Sequence, residues 1–458
     1  MQHQTANDTI CAIATPSGGA LSVIRISGPE AISIVQTVFR PISGRALAEQ
    51  PPYSVCLGHL LDDNGEILDE TLATVFRAPH SYTGEESVEL SCHGSQFISQ
   101  QAAALLIMHG CRQAGPGEFT QRAFMAGKMD LSQAEAVADL ISSTSAASHR
   151  LAINQMKGGF SRKLDELRSQ LINLTSLLEL ELDFSEEDVQ FADREQLRLI
   201  AEDIEATLSR LAASFKSGEA IRKGVPVAII GRTNTGKSTL LNLLLNDDRA
   251  LVSSIQGTTR DSIEDTSVIG GILFRFIDTA GIRQSDDTVE RMGIERSFQI
   301  AEKADIILLV TDCSQPETEN DTELDNMLKP IIQSKTLIRV HNKADLTRTV
   351  PEGDKVNIYI SAKQEINIDT LKLMLTKAVP IPPNDTDTVT VTNMRHYQAI
   401  LRALDCIKRA LAGLSDGTPA DLLSQDTREC IHHLSDILGE VTTDQVLSTI
   451  FSRFCIGK

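Results

Sequence analysis

Apolar and polar positions change rhythm along the chain, and the change divides it. Over the first quarter, short strand-like runs, Thr9–Ala14, Leu21–Ile26, Thr71–Phe76 and Ser87–Ser91, are punctuated by Gly and Pro. They predict an α+β domain over residues 1–122. From about Ser132 to Phe215 the spacing turns helical. Leu151, Ile153, Met156, Leu164, Leu167, Leu171, Leu174, Leu178 and Leu182 recur mostly at threes and fours, as a buried helical stripe requires. Acidic residues from Glu179 to Asp188 mark a helix end. The same texture returns over 394–450 in Ile400, Leu401, Leu404, Ile407, Leu411, Ile431, Leu434, Ile437 and Leu438. The pattern predicts a multidomain chain: an N-terminal α+β domain, then one all-α domain split into 123–222 and 381–458 by an insert at 223–380. Pro380-Ile-Pro-Pro-Asn-Asp reads as the exit linker of the insert.

Within the insert, Val225-Pro-Val-Ala-Ile-Ile reads as a buried parallel strand. Gly231-Arg-Thr-Asn-Thr-Gly-Lys-Ser238 and a leucine-rich helix from Thr239 follow it. Strand, glycine loop and helix in that order form the setting a P-loop requires. Backbone amides across Asn234, Thr235 and Gly236 would surround phosphate, and the helix N-terminus adds a positive dipole. Lys237 would reach the β- and γ-phosphates, and the Ser238 hydroxyl would hold Mg2+. Asp278, Thr279, Ala280 and Gly281 follow the strand Leu273–Ile277, offering a carboxylate for the metal and a glycine N–H for the γ-phosphate. Asn342, Lys343, Ala344 and Asp345 follow the strand Thr336–His341. The Asp345 carboxylate can accept two hydrogen bonds from N1–H and the 2-amino group of guanine, which adenine lacks. Ser361, Ala362 and Lys363, after the strand Val356–Ile360, would support the base. Four motifs in this order, each at a strand's C-terminal end, predict a Ras-like P-loop α/β G domain that takes GTP rather than ATP. Between the first two lies Gly257-Thr-Thr-Arg-Asp261, whose Thr259, with Thr258 beside it, would complete the Mg2+ shell when the γ-phosphate is present.

Composition narrows the partners. The 458 residues carry a formal charge of −19, so the body repels a nucleic-acid backbone and any RNA substrate needs a basic partner or patch. No signal peptide is expected from the polar stretch Met1 to Asp8. The longest apolar stretch near the middle, Ile306 to Val310, is too short to span a bilayer, and a cytoplasmic location is expected. Eight scattered cysteines read as reduced thiols. Cys92, His93, His109 and Cys111 could be imagined as zinc ligands, but neighbours on a strand point to opposite faces, so packing is the better account of Cys92 and His93. Cys455 stands fourth from the end, yet Gly457 and Lys458 do not fit a prenylation box.

The chain resembles the MnmE (TrmE) family of tRNA-modification GTPases. The order GTTRD, DTAG, NKAD, SAK is shared by several related GTPases. The family-specific resemblance lies in Ser81-Tyr-Thr-Gly-Glu, Glu89-Leu-Ser-Cys-His-Gly94, Pro116-Gly-Glu-Phe-Thr-Gln-Arg-Ala-Phe124, Lys128-Met-Asp-Leu-Ser-Gln-Ala-Glu-Ala136 and the terminal Phe454-Cys-Ile-Gly-Lys458. It implies fast intrinsic GTP hydrolysis activated by potassium when two G domains meet, with Asn234, Ser253, Ile255 and Thr258 as potassium ligands. Ser253, Ser254, Ile255, Gly257 and Thr258 would line the nucleotide, and Glu290 would be the catalytic acid. The family usually has Pro before that Asn, where this chain has Thr233, and Thr where it has Ser253. The N-terminal domain resembles a folate-binding, dimerising module that holds a 5-formyl-tetrahydrofolate-type cofactor through Arg25, Glu89, Lys128 and Lys458, with Cys455 as a possible active-centre thiol. The resemblance further implies a homodimer that joins an FAD-dependent protein in a heterotetramer. That complex would place carboxymethylaminomethyl or aminomethyl groups on the wobble uridine of certain tRNAs. Two rivals stand beside it: a ribosome-assembly or other regulatory switch, and a folate-dependent aminomethyl transferase with a purely regulatory G domain.

Overall fold

The computed structural model describes residues 8–16, 18–183, 194–246, 265–277, 298–316, 319–333, 335–347, 352–354, 356–379, 389–452 and 454–457. The chain divides into two compact units, Met1–Ala138 with Leu434–Lys458, and Asp139–His433.

In the first unit, seven strands form one sheet: β1 (Ile10–Ile13), β2 (Leu21–Ser27), β3 (Phe39–Pro41), β4 (Ser54–Leu61), β5 (Ile67–Phe76), β6 (Ser87–His93) and β7 (Arg112–Gln113). Their order is β3-β4-β5-β6-β2-β1-β7, antiparallel throughout except for β1 with β7. Helices α1 (Ala31–Val38) and α2 (Gln96–Met108) cover one face. Ile34, Val35, Leu105 and Leu106 there pack with Ile24, Ile26, Ala73, Val75 and Leu90 of the strands. Strand alternation turns Val55, Leu57 and Leu72 away from that core, 58%, 44% and 43% exposed. Helices α3 (Glu118–Met125) and α4 (Leu131–Ser142) follow.

The second unit holds the helical stripe and the insert. Ser145 and Ser148 form a reciprocal capping box that starts α5 (Ala146–Met156). The stripe read along the sequence breaks at Lys157-Gly158 and resumes in α6 (Gly159–Asp183), where Leu164, Leu167, Leu171, Leu174 and Leu178 are all buried. Helix α7 (Arg194–Lys223) runs directly to the insert, whose first strand begins at Val225. There β8 (Val225–Ile230), α8 (Lys237–Asn246), β9 (Asp265–Ile269), β10 (Ile272–Phe276), β11 (Ile306–Asp312), α9 (Glu319–Ile332), β12 (Thr336–Asn342), β13 (Asn357–Tyr359) and α10 (Ile368–Ala378) build a six-stranded sheet. Its order is β13-β12-β11-β8-β10-β9, parallel except for the β9–β10 pair. Both faces are covered, by Leu240, Leu241, Leu244 and Leu371 on one side and Ala301 and Leu328 on the other. This is why β8 and β11 read as unbroken apolar runs. Helices α11 (Met394–Asp416) and α12 (Ala420–Leu438) complete the helical part. Phe215 of α7 stacks on Tyr397 of α11 at 4.2 Å, and buried Thr175 donates to Thr427 at 2.8 Å. The architecture is the expected one, with a P-loop α/β domain inserted among helices that follow an α+β domain in the sequence. Among the described residues no helix is long and apolar enough to cross a membrane.

The chain end belongs to the first unit. In α13 (Asp444–Phe451), Leu447 and Phe451 pack with Phe454, Leu131 and Ala134 in a separate core. Phe454→Ala opens that core and is expected to cost about 3–5 kcal/mol, read as a lower urea midpoint of the full chain. An unchanged midpoint would mean the tail adds nothing to the stability of this unit.

Candidate functional site

The expected phosphate end of the site is a loop whose backbone only glycine can follow at two places. Between β8 and α8, Gly231 (φ 153°) lies against the Val310 carbonyl and Gly236 (φ 92°) against the Asn342 side-chain amide; a Cβ at either would collide. Asn234 adopts left-handed backbone (φ 62°), which Asn tolerates better than most residues, and its side chain is exposed. Thr235 is buried and donates its hydroxyl to the Arg232 carbonyl at 3.0 Å. Lys237 opens α8 and folds back along the loop, its Nζ donating to the carbonyls of Gly231, at 2.7 Å, and Arg232. Burial pushes its pKa down to about 8. Ser238 and Thr239 sit in the first turn of α8, at the positive end of the helix dipole.

The expected base end is tied to this loop through one residue. Asn342, at the end of β12, is 3% exposed. Its Nδ2 donates to the Thr235 carbonyl at 2.8 Å, and its Oδ1 accepts from the Ala362 amide at 2.9 Å. Its main-chain carbonyl accepts from the backbone N–H of Cys313 at 3.0 Å and from its thiol at 3.0 Å. Lys343, in left-handed backbone (φ 66°), reaches Asp312 Oδ2 at 2.6 Å. Burial alone would raise the Asp312 carboxyl, but the bonds from Lys343 and Ser314 outweigh it and hold the pKa below the usual range. The left-handed step starts a short helical turn, Ala344–Leu346, that carries Asp345. Ser361 is fully buried and bridges backbone to backbone with Ile366.

Parallel β8, β12 and β13 thus bring Asn234 to Thr239, Asn342, Lys343, Asp345, Ser361 and Ala362 to their C-terminal ends, where open α/β sheets bind ligands. Ser253, Ser254, Ile255, Gly257, Thr258, Thr259, Asp278, Thr279, Ala280, Gly281 and Glu290 lie outside the described residues. Asp312 and Cys313 were not singled out in the sequence; their position directly behind the apolar run Ile306–Val310 at the C-terminal end of β11 was the available signal.

A second cluster sits in the first unit. Strand register places Arg25 opposite Glu89, and the guanidinium Nε donates to Glu89 Oε1 at 2.8 Å. Its Nη1 reaches the Gly457 carbonyl at 3.3 Å, and it lies over the rings of Tyr82 and Phe119, 5.3 and 5.7 Å from their centroids. The tail is seated by the Gly117 amide, which donates to the Cys455 carbonyl at 3.3 Å, and by a bridge between Pro116 and Ile456. Arg25, Glu89 and the tail therefore meet, with the Cys455 side chain exposed. Lys128 is exposed and donates to the Pro79 carbonyl at 2.7 Å. Lys458 lies outside the described residues.

Sequence reasoning missed the ionic knot behind this cluster. Arg122 pairs with Asp8, at 2.6 Å, with Glu85 and with Glu118, while Arg112 pairs with Asp8 at 2.7 Å and with Glu118. Burial works to raise the Glu118 pKa, yet the bonds from Arg112 and the Gly115 amide hold it low. The imagined zinc set is dispersed among other partners: Cys92 is buried beside Thr71, His93 and His109 face Asp69 and Asp63, and Cys111 is buried.

A family model for the MnmE helical domain matches residues 131–455, and one for the GTP-binding protein TrmE N-terminus matches residues 9–128. The chain is 56% identical over 464 aligned residues to the tRNA modification GTPase MnmE of Bacteroides thetaiotaomicron, covering 98% of this chain and 99% of that one. It is 53% identical over 460 residues to the protein of the same name from Parabacteroides distasonis, covering 98% and 100%. Among solved structures, Aquifex aeolicus Era bound to GDP and aluminium fluoride is 27% identical, with 40% of this chain and 66% of that one covered and a TM-score of 0.26. A TM-score so low adds nothing to the fold read from the strand order.

Two expectations follow from the loop geometry. Gly236→Ala forces the Asn342 amide off the Thr235 carbonyl, and loss of a buried hydrogen bond costs about 1–3 kcal/mol. Affinity for a fluorescent guanine nucleotide should fall about tenfold or more, and unchanged affinity would contradict the stitch. Lys237 carries the second. A bound polyphosphate would raise its pKa from about 8, so binding takes up a proton at alkaline pH. Affinity should then be greatest below pH 8 and fall as pH rises through it, by up to roughly tenfold per unit; a flat profile would contradict the buried, depressed lysine.

Proposed function

The chain belongs to the MnmE family of tRNA modification GTPases, and we propose that it hydrolyses GTP to drive modification of the wobble uridine of certain tRNAs in the cytoplasm. The product would be the carboxymethylaminomethyl or aminomethyl uridine. The observation that carries the reading is the double-ended Asn342 side chain, which ties the loop after β8 to the loop after β13. Asp345 beside it would take the N1–H and 2-amino donors of guanine.

The residues fit a magnesium nucleotide. Lys237 would turn from the loop carbonyls to the β- and γ-phosphates. Ser238, at the start of α8, and Thr259 would hold Mg2+, which when bound neutralises charge on the phosphate oxygens. Glu290 would orient the attacking water through a second water. Asn234 is left-handed and exposed at the loop rim, and it would hold K+ together with Ser253, Ile255 and Thr258 as two G domains meet. Thr233, in place of the family's usual Pro, leaves the backbone before Asn234 without a fixed φ.

The Arg25 cluster supports the folate part. Glu89 and Arg25 are paired, partly exposed and bordered by aromatic rings, a setting for a flat polar heterocycle. Lys128 and Lys458 would serve the anionic tail of a tetrahydrofolate one-carbon donor, and Cys455 stands on the same tail. The outward apolar residues Val55, Leu57 and Leu72 favour pairing of two first units as a homodimer. An FAD-dependent partner joining that dimer in a heterotetramer would bring basic surface for tRNA to a chain of charge −19.

Hydrolysis is expected to run several-fold faster in potassium than in sodium at equal ionic strength, measured as phosphate release; equal rates would remove Asn234 from a potassium site. Mass analysis of wobble nucleosides from cells lacking the protein should reveal uridine without the aminomethyl-type group. Intact modification would overturn the tRNA reading while leaving the GTPase reading in place.

A further inference from the structure

Away from the nucleotide loops and the Arg25 cluster, α11 and α12 bring three groups with metal-ligand chemistry to one point. We propose that Cys406, Glu429 and His433 bind a thiophilic divalent cation of the zinc class, which staples α11 to α12. Glu429 and His433 stand four residues apart on α12 and so share a face. Cys406 approaches from α11. One ligand atom from each lies within 4.8 Å of the other two, and His433 Nε2 is 3.8 Å from Glu429 Oε1. An ion bonded at about 2.0–2.3 Å gathers such a set with side-chain shifts on the order of an ångström.

The pocket already draws positive charge. The Arg409 guanidinium donates to Cys406 Sγ at 3.4 Å, to Asp426 Oδ1 at 2.8 Å, to Asp405 Oδ2 at 2.9 Å and to the Glu429 carboxylate. One cation thus serves three carboxylates, and the cluster retains net negative charge. Neutralising acids explains Arg409 but requires neither a thiol nor an imidazole beside it. An incoming ion would take Cys406 and Glu429 from Arg409, which keeps Asp405 and Asp426. A water would supply a fourth ligand.

The chemistry selects the ion. On binding, the Cys406 S–H bond breaks, its proton goes to solvent, and the sulfur pair forms the bond to the metal. Cys406 is 1% exposed. Burial, followed by the nearby Glu429 charge, pushes its thiol up to about 11. A hard oxygen-seeking ion such as Mg2+ does not offset that cost, whereas a thiolate-binding ion does.

Cobalt(II) titrated into the full-length protein, freed of metal by dialysis against chelator, tests the site. One equivalent should bind with a thiolate-to-cobalt charge-transfer band, and zinc should displace it. Cys406→Ser should abolish the band, His433→Gln should weaken binding about tenfold or more, and Arg409→Gln, by removing the competing cation, should tighten it. Absence of the band in both the native chain and Arg409→Gln overturns the proposal. So does a band that survives in Cys406→Ser. Should circular dichroism find Cys406→Ser unfolded, His433→Gln decides, and unchanged cobalt affinity in that variant overturns the proposal.

Discussion

The nucleotide domain depends on a single buried carboxamide. Asn342 donates to the P-loop and accepts from the loop after β13, while its main chain is fastened to the loop after β11. A primary amide removed from water is costly unless both ends are satisfied. Here both ends are satisfied by backbone atoms of two other loops, so none of the three can shift without leaving a polar group unpaired. Parallel strands make this possible, because β8, β11, β12 and β13 all deliver their loops to one edge. The glycine at 236 is the complementary half of the arrangement, since only a residue without Cβ leaves room for the Asn342 amide. Lys237 gains its character from the same closeness: enclosed by the loop, it is held against carbonyls and its ammonium is poorly solvated.

The first unit solves a different problem, the placement of the chain's last residues. Phe451 and Phe454 anchor the end in an apolar pocket with Leu131 and Ala134, and the Gly117 amide fixes the backbone beyond it. Arg25 then reads both the strand opposite, through Glu89, and the tail, through Gly457. The knot of Arg112, Arg122, Asp8, Glu85 and Glu118 lies among the segments that carry Tyr82 and Phe119, the two rings beside Arg25. A partly buried ionic network of this kind contributes more to geometry than to stability, because desolvation offsets much of the attraction.

Much of this was legible in the sequence where local chemistry decides it. The P-loop and the Asn-Lys-Ala-Asp motif are written in residues that their own backbone requires, and the leucine stripe from Leu164 to Leu178 obeys the period of a helix that buries one side. Strand β4 was missed because Val55 and Leu57 face outward while Cys56 and Leu60 face inward, so the run has no polar face to mark its alternation. The ionic knot was illegible for another reason: Arg122 and Asp8 are separated by 114 residues and meet only because β1 and β7 pair. The return of residues 434–458 to the first unit is equally a matter of tertiary packing, since their helical texture matches that of the second. The break between α5 and α6 has a local cause in Gly158, which a reading by apolar period alone passes over.

The claim from which the rest follows is a pocket that grips triphosphate and reserves one carboxylate for guanine. Titrating the purified chain with GTP and with ATP in the same buffer measures it directly. A carboxylate left unpaired when adenine occupies the site predicts GTP binding tighter by about a hundredfold or more. Equal affinity for the two nucleotides would contradict the account.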